Sequence, residues 1–160
     1  MTGCDDGSVS EPIDVRERLA RLEQRVAALE GPLRPTGEAG TVAYSGQVRL
    51  HGEVGWQIEF DAAAVLDLPS AAVVRVLAAL GHAVRLQLVH RLLRGPATVA
   101  ELTEAVGGSS AGQVYHHLAT LTAAGVVEAG GGGRHRVPAT GVVPVLVALL
   151  AAGDLGGALR

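Results

Sequence analysis

Lysine is absent from this chain of 160 residues, and all 13 of its basic side chains are arginine. That bias fits a GC-rich coding background, and it also excludes a phosphate-cradling loop of the kind that pairs glycines with a lysine. The glycines at 130 to 133 lack the following helix start that such a loop needs. A single cysteine, Cys4, excludes an intrachain disulfide framework and any cysteine metal cluster. No basic and hydrophobic segment precedes it, so Thr2-Gly3-Cys4 is not read as an export signal. Long apolar runs are missing too. The longest, Val142 to Ala152, contains Pro144 and falls short of the ~20 residues that cross a bilayer. The serines and histidines show no nucleophile-and-base spacing. The expectation is a soluble, cytoplasmic protein that is not an enzyme and holds no cofactor.

Net charge is −3, which argues against a nucleic-acid partner until the chain is divided. Residues 1–69 carry six Arg against twelve Asp and Glu, a balance of −6. Residues 70–140 carry six Arg against three Glu, a balance of +3, before any of His82, His90, His116, His117 and His135 is protonated.

Residues 1–12 are small, acidic and polar, the composition of a disordered tail. Over 13–30 a heptad register appears. Val15, Leu22 and Leu29 fall at position d, and Leu19 and Val26 at position a. Arg18 and Arg25 then occupy g, with Glu23 and Glu30 at the following e, as a parallel two-stranded coiled coil requires. An amphipathic helix folded onto its own domain is the other reading. Gly31-Pro32 ends the pattern, and 31–40 reads as a linker.

Between 41 and 61 apolar and polar residues alternate. Val42, Tyr44, Val48 and Leu50 share one side of a first strand, and Val54, Trp56, Ile58 and Phe60 one side of a second. His51-Gly52-Glu53 is the expected turn. Three of the four aromatics lie here. A lone hairpin is marginal in water, so this face either packs against protein or lines a ligand pocket. A short helical connector follows to Pro69. Ser70 is read as the cap of a helix burying Val73, Val74, Leu77 and Leu80, and His82 to Arg94 as the next helix. Val142 to Leu150 is apolar nearly all round and must be covered on more than one side.

The densest pattern lies at 98–138. Val99, Leu102 and Val106 make one face of a short helix, and Gly107-Gly108-Ser109-Ser110 supplies a left-handed stop and a capping hydroxyl. The following helix, about 111 to 124, sets Val114, Leu118 and Leu121 on one face and Gln113, His116, His117 and Thr120 on another. After Gly125, two short extended runs enclose the glycine tip, with Arg134 and Arg136 on the returning run. Helix, tight turn, polar-faced helix and basic hairpin together predict a winged helix-turn-helix over 70–155. The fold class expected is mainly α with small β, the winged domain preceded by the coiled-coil helix and by the hairpin and connector of 41–69.

In Leu80-Gly81-His82-Ala83-Val84-Arg85-Leu86, Thr98-Val99-Ala100-Glu101-Leu102, Val114-Tyr115-His116-His117-Leu118 and Leu121-Thr122-Ala123-Ala124-Gly125-Val126-Val127, the chain resembles the ArsR-type winged-helix repressors of bacteria. The likeness runs from about Ser70 to Leu155 and implies a symmetric dimer with recognition helices in successive major grooves of double-stranded DNA. On their own chemistry, Ser109, Ser110, Gln113, His116, His117 and Thr120 supply hydrogen-bonding groups for bases and phosphates, the other reading being that one of the two histidines is a satisfied structural residue. Arg134 and Arg136 beside the glycine tip suit phosphate contact, the other reading being two solvated charges on a hairpin. Tyr115 departs from the family pattern, which has a small hydroxyl residue there. The last helix, with Leu146, Leu149 and Leu150, would join the coiled-coil positions in dimerisation. ArsR-type metal sensors place cysteines on the helix before the recognition helix, or carboxylates and histidines on the last helix. Residues 99–106 hold no cysteine and 142–150 no His, Asp or Glu, so no regulatory metal is expected. A winged helix that joins protein partners without reading DNA is the alternative function, and the acidic extension favours it. Operator, effector and tetramer formation are not legible.

Overall fold

The computed structural model describes residues 18–23, 38–50 and 52–159, in two units that divide after Arg34. Of the first unit, residues 18–23 are helical, with Leu19 and Leu22 on its surface at 55% and 48% exposure. Val15, Val26 and Leu29 lie outside the described residues, as do the tail and most of the linker.

The second unit begins with an antiparallel hairpin, β1 (Thr41–Val48) and β2 (Val54–Asp61). Its register pairs Val42 with Phe60, Tyr44 with Ile58, Gly46 with Trp56 and Val48 with Val54. Directly opposed residues share a face, so the apolar residues of both strands come together on one side. Leu50 lies beyond the end of β1 and is exposed, because the chain has already entered the Arg49–Glu53 turn, closed by an ion pair of 3.1 Å.

Six helices follow or interleave with three very short strands. They are α1 (Ala62–Leu66), α2 (Ser70–Leu80), α3 (Ala83–Leu93), β3 (Ala97–Thr98), α4 (Val99–Val106), α5 (Ala111–Ala123), β4 (Glu128–Ala129), β5 (Arg134–Arg136) and α6 (Ala139–Leu155). Asp61 ends β2 and starts α1, its carboxylate accepting from the backbone N–H of Ala63 at 2.8 Å and of Ala64 at 3.3 Å. Between α2 and α3 the chain bends by 87°. Arg85 fixes that corner, its Nε donating to the Ala79 carbonyl at 2.6 Å and its Nη2 to that of Ala78 at 2.8 Å. A cation on the last carbonyls of α2 satisfies acceptors the helix leaves open and opposes its dipole.

The core sits where α3, α4 and α5 meet. Leu88, Leu92, Leu102, Leu118 and Leu121 are fully buried there, with Val89, Val114 and Val127 between them. Withdrawing an apolar side chain of this size from water stabilises the fold by roughly 1.5–3 kcal/mol each. From α6, Val142 and Val145 close the core on one side. A second side of α6 lies against the hairpin. An ideal Cβ on Gly46 would stand 2.9 Å from Val143 Cγ1, so only glycine lets the strand approach this closely. The hairpin's apolar face therefore packs on its own chain at Gly46, and the indole nitrogen of Trp56, opposite Gly46, is buried without a hydrogen-bond partner.

Two sequence expectations are corrected. Ser70 is the first residue of α2 rather than its cap, since Pro69 occupies the cap position and no side chain bonds there. And α2 buries Ala79 and Leu80 but leaves Val73, Val74 and Leu77 on the surface, Val74 at 61% and Leu77 at 58%. Their helical spacing is apolar as expected, but nothing among the described residues covers that face.

Candidate nucleic-acid interface

Two capping boxes frame the helix-turn-helix. Thr98 caps α4, its hydroxyl oxygen accepting from the Glu101 N–H at 3.3 Å while Glu101 accepts from the Thr98 N–H at 2.7 Å. The hydrogen bonds from Thr98 hold the Glu101 carboxyl below its ordinary pKa, with Arg134 and Arg91 adding to the effect. Gly107 and Gly108 then take left-handed backbone angles, φ 56° and 68°, and turn the chain sharply. Ser110 caps α5 in the same way, accepting from Gln113 N–H at 3.3 Å while Gln113 Oε1 accepts from Ser110 N–H at 2.8 Å. Ser109 sits half-buried just before it.

Along α5, Val114, Leu118 and Leu121 point into the core, so register fixes what faces outward. Gln113, Tyr115, His116 and Ala119 are exposed, and so is Thr122. Not one residue of α5 is charged. Thr120 is half-buried, and its hydroxyl donates to the His116 carbonyl at 3.2 Å. The neighbouring histidines diverge. His116 looks outward, whereas His117 turns back to His82 at the start of α3, with ring centroids 4.9 Å apart. Burial of His117 lowers its pKa, and His82, Arg85 and His116 lower it further. Its Nδ1 is buried with no partner.

The wing is a three-stranded sheet in the order β3-β5-β4, with β5 in the middle. Ala97 and Thr98 pair with His135 and Arg134, and Glu128 and Ala129 with Arg136 and His135. The tip is a 3-10 turn, Gly131–Gly133, in which Gly132 and Gly133 are left-handed. Both wing arginines are exposed, and among the described residues each donates one side-chain hydrogen bond. Arg134 Nη1 donates to the Pro96 carbonyl at 3.2 Å, and Arg136 Nε to Glu128 at 2.7 Å. The remaining guanidinium donors of both stay on the surface, beside a tip thin enough to approach a phosphate backbone. Between α5 and β5 lies an open cleft of about 460 Å³, lined by Tyr115, Leu118, Ala119, Thr122, Ala123 and His135.

Of the residues expected to touch DNA, Ser109, Ser110, Gln113 and His116 lie at the start and on the outer side of α5, and Arg134 and Arg136 on the wing. His117 and Thr120 lie further back. The sequence reading missed three features. Strand β3 is two residues long and carries no periodicity. Arg85 acts over six and seven residues of separation. The Ser110–Gln113 box was legible as S-x-x-Q, but the face count obscured it. Among the described residues, no three His, Cys, Asp or Glu side chains come together.

The sequence profile of a helix-turn-helix domain family matches residues 80–129. Among solved structures, the chain is similar to the homodimeric winged helix-turn-helix DNA-binding domain (fragment 1–100) of Mb0332 from Mycobacterium bovis, described as a possible ArsR-family transcriptional regulator. Identity is 31%, over 58% of this chain and 86% of that one, with a TM-score of 0.45. It is also similar to the transcriptional repressor BigR from Xylella fastidiosa, at 24% identity over 57% of this chain and 95% of that one, with a TM-score of 0.46. No curated protein matches the chain. With its own capped helix-turn-helix and three-stranded wing, and with that likeness in sequence, the chain carries a winged helix-turn-helix domain that resembles those of ArsR-type transcriptional regulators.

Proposed function

We propose that this chain is a homodimeric, DNA-binding transcriptional regulator of the repressor type, acting in the cytoplasm. Helix α5 enters the major groove, and the wing lies on the backbone or in the minor groove. The observation that carries this reading is the outer face of α5: uncharged, exposed, fixed by a capping box and flanked by the arginine-bearing wing. A helix start offers backbone N–H groups to a phosphate, and Ser109 and Ser110 stand at that start. Gln113 and His116 face bases, while His117 and Thr120 support them from behind. With Gln113 Oε1 held by Ser110, the amide offers a base its Nε2 donors, and pairing two-pronged with adenine requires that cap to open.

The homodimer is supported by the uncovered apolar face of α2 and by Leu150 on α6, beside the half-buried Leu146 and Leu149. The M. bovis domain is itself homodimeric. The heptad register of Val15, Leu19, Leu22, Val26 and Leu29 adds a parallel coiled coil.

An interaction module without DNA binding is the second reading, favoured by the pairing of Arg136 with Glu128 and the acidic balance of residues 1–69. Binding of the full chain to duplex DNA at two salt concentrations separates the two. A regulator that neutralises phosphates loses affinity steeply as salt rises. Absence of duplex binding at low salt establishes the module instead.

A further inference from the structure

The outer face of α5 has few hydrogen-bonding groups left for bases. Gln113 Oε1 accepts from Ser110, the Thr120 hydroxyl donates within the helix, and His117 faces His82. What points outward beside His116 is a stripe at i, i+4 and i+7: Tyr115, Ala119 and Thr122. Tyr115 is 58% exposed, an unusual position for one of only four aromatics in the chain. The stripe forms one wall of the cleft against the wing, and His135, between the two wing arginines, forms the other. That cleft is nearly all apolar. In the major groove, the one apolar group that distinguishes a base is the C5 methyl of thymine.

We propose that α5 selects its sites by seating thymine methyl groups against Tyr115, Ala119 and Thr122, so that this protein prefers thymine by apolar contact. The inference rests on the reading of α5 as the groove-facing helix. Continuity argues for DNA as the occupant. The stripe lies on the same helix as the Ser110–Gln113 start, next to the arginine-bearing strand, in the half of the chain with a balance of +3. Tyr115 is thus a specificity-determining residue in the place where the resemblance would put a small hydroxyl.

The test begins with duplexes selected by the full chain from a randomised pool. The best duplex is then remade with uracil, which lacks only the methyl, at each thymine in turn. Affinity is expected to fall about fourfold at each contacted position, the effect of removing one methyl-sized apolar group. Tyr115→Phe is expected to keep that difference at every contacted position, and Tyr115→Ala to lose it at one or more of them while thymines seated on Ala119 and Thr122 keep it, with an unchanged thermal transition because the side chain is on the surface. If wild type binds the uracil duplexes as tightly as the parent, the methyl reading is overturned while DNA binding stands. If Tyr115→Ala discriminates thymine from uracil as wild type does at every position, the assignment to this stripe is overturned. If no duplex is retained at low salt, the regulator reading falls with it.

Discussion

Gly46 and His117 show how much a single position decides. At Gly46 the hairpin comes so close to α6 that a methyl would meet Val143 Cγ1 at 2.9 Å. Gly46→Val is therefore expected to destabilise the protein by about 1–3 kcal/mol through overpacking. In combination with Val143→Ala, which removes the colliding methyls, the loss should be smaller than the sum of the two single losses. Chemical unfolding followed by Trp56 emission measures all four proteins, and strictly additive losses would show that the two residues do not touch. At His117, burial and the neighbouring His82, Arg85 and His116 lower the pKa from its ordinary 6.5. The fold then holds this ring neutral, so the stability it retains is complete above about pH 6.5 and is lost as pH falls through the lowered folded value. Thermal transitions recorded from pH 8 to pH 5 should decline more in wild type than in His117→Gln, with the two curves separating only below about 6.5. Parallel curves across that range contradict the assignment. Neither effect was legible beforehand. Helical spacing sets the angle between His116 and His117, but it does not say which of the two meets α3.

Elements were legible in proportion to their length and to whether their own chain covers them. Helices α4 and α5 follow from apolar periodicity with glycine and serine punctuation, because local spacing alone sets which residues of a helix point inward. The hairpin follows from strict alternation, and its register delivers the apolar positions to one face. Strand β3 did not emerge, since two residues have no period. The wing arginines were placed correctly on β5, but the Arg136–Glu128 pair depends on hairpin register, which a four-glycine tip leaves open. That pair bears on the function of the element. Arg134→Ala and Arg136→Ala are each expected to weaken specific and random duplexes alike, and to reduce the salt slope by roughly one for each phosphate no longer neutralised. Glu128→Gln releases Arg136 and should strengthen binding to random DNA. Titrations of both duplexes over a salt series check this, and a variant that loses only specific binding would place the wing in base reading instead.

At the scale of the whole molecule, the main question is why so much apolar surface is exposed among the described residues. Val73, Val74 and Leu77 of α2 are spaced as a buried stripe, yet they are exposed, along with Leu150 and Leu155 of α6. Periodicity in a sequence reports that a face is to be covered and is silent about what covers it; that is why the expected burial is not found among the described residues. Exposed side chains of this size carry a cost in water that a second copy removes on both chains at once. Leu77→Arg would set two cations against the same patch of a symmetric interface. It is expected to shift the dimer toward monomer, seen as a fall in mass by light scattering across a dilution series, with helical circular dichroism retained because Leu77 contributes little to the core of its own chain. Leu22→Glu disturbs the heptad instead, and should lower the thermal transition of the assembly without dissolving it if α2 and α6 hold the dimer alone. Unchanged mass in Leu77→Arg removes α2 from the interface, and an unchanged transition in Leu22→Glu removes the coiled coil. Loss of the dimer in Leu22→Glu would make residues 13–30, and not the winged domain, the main source of association.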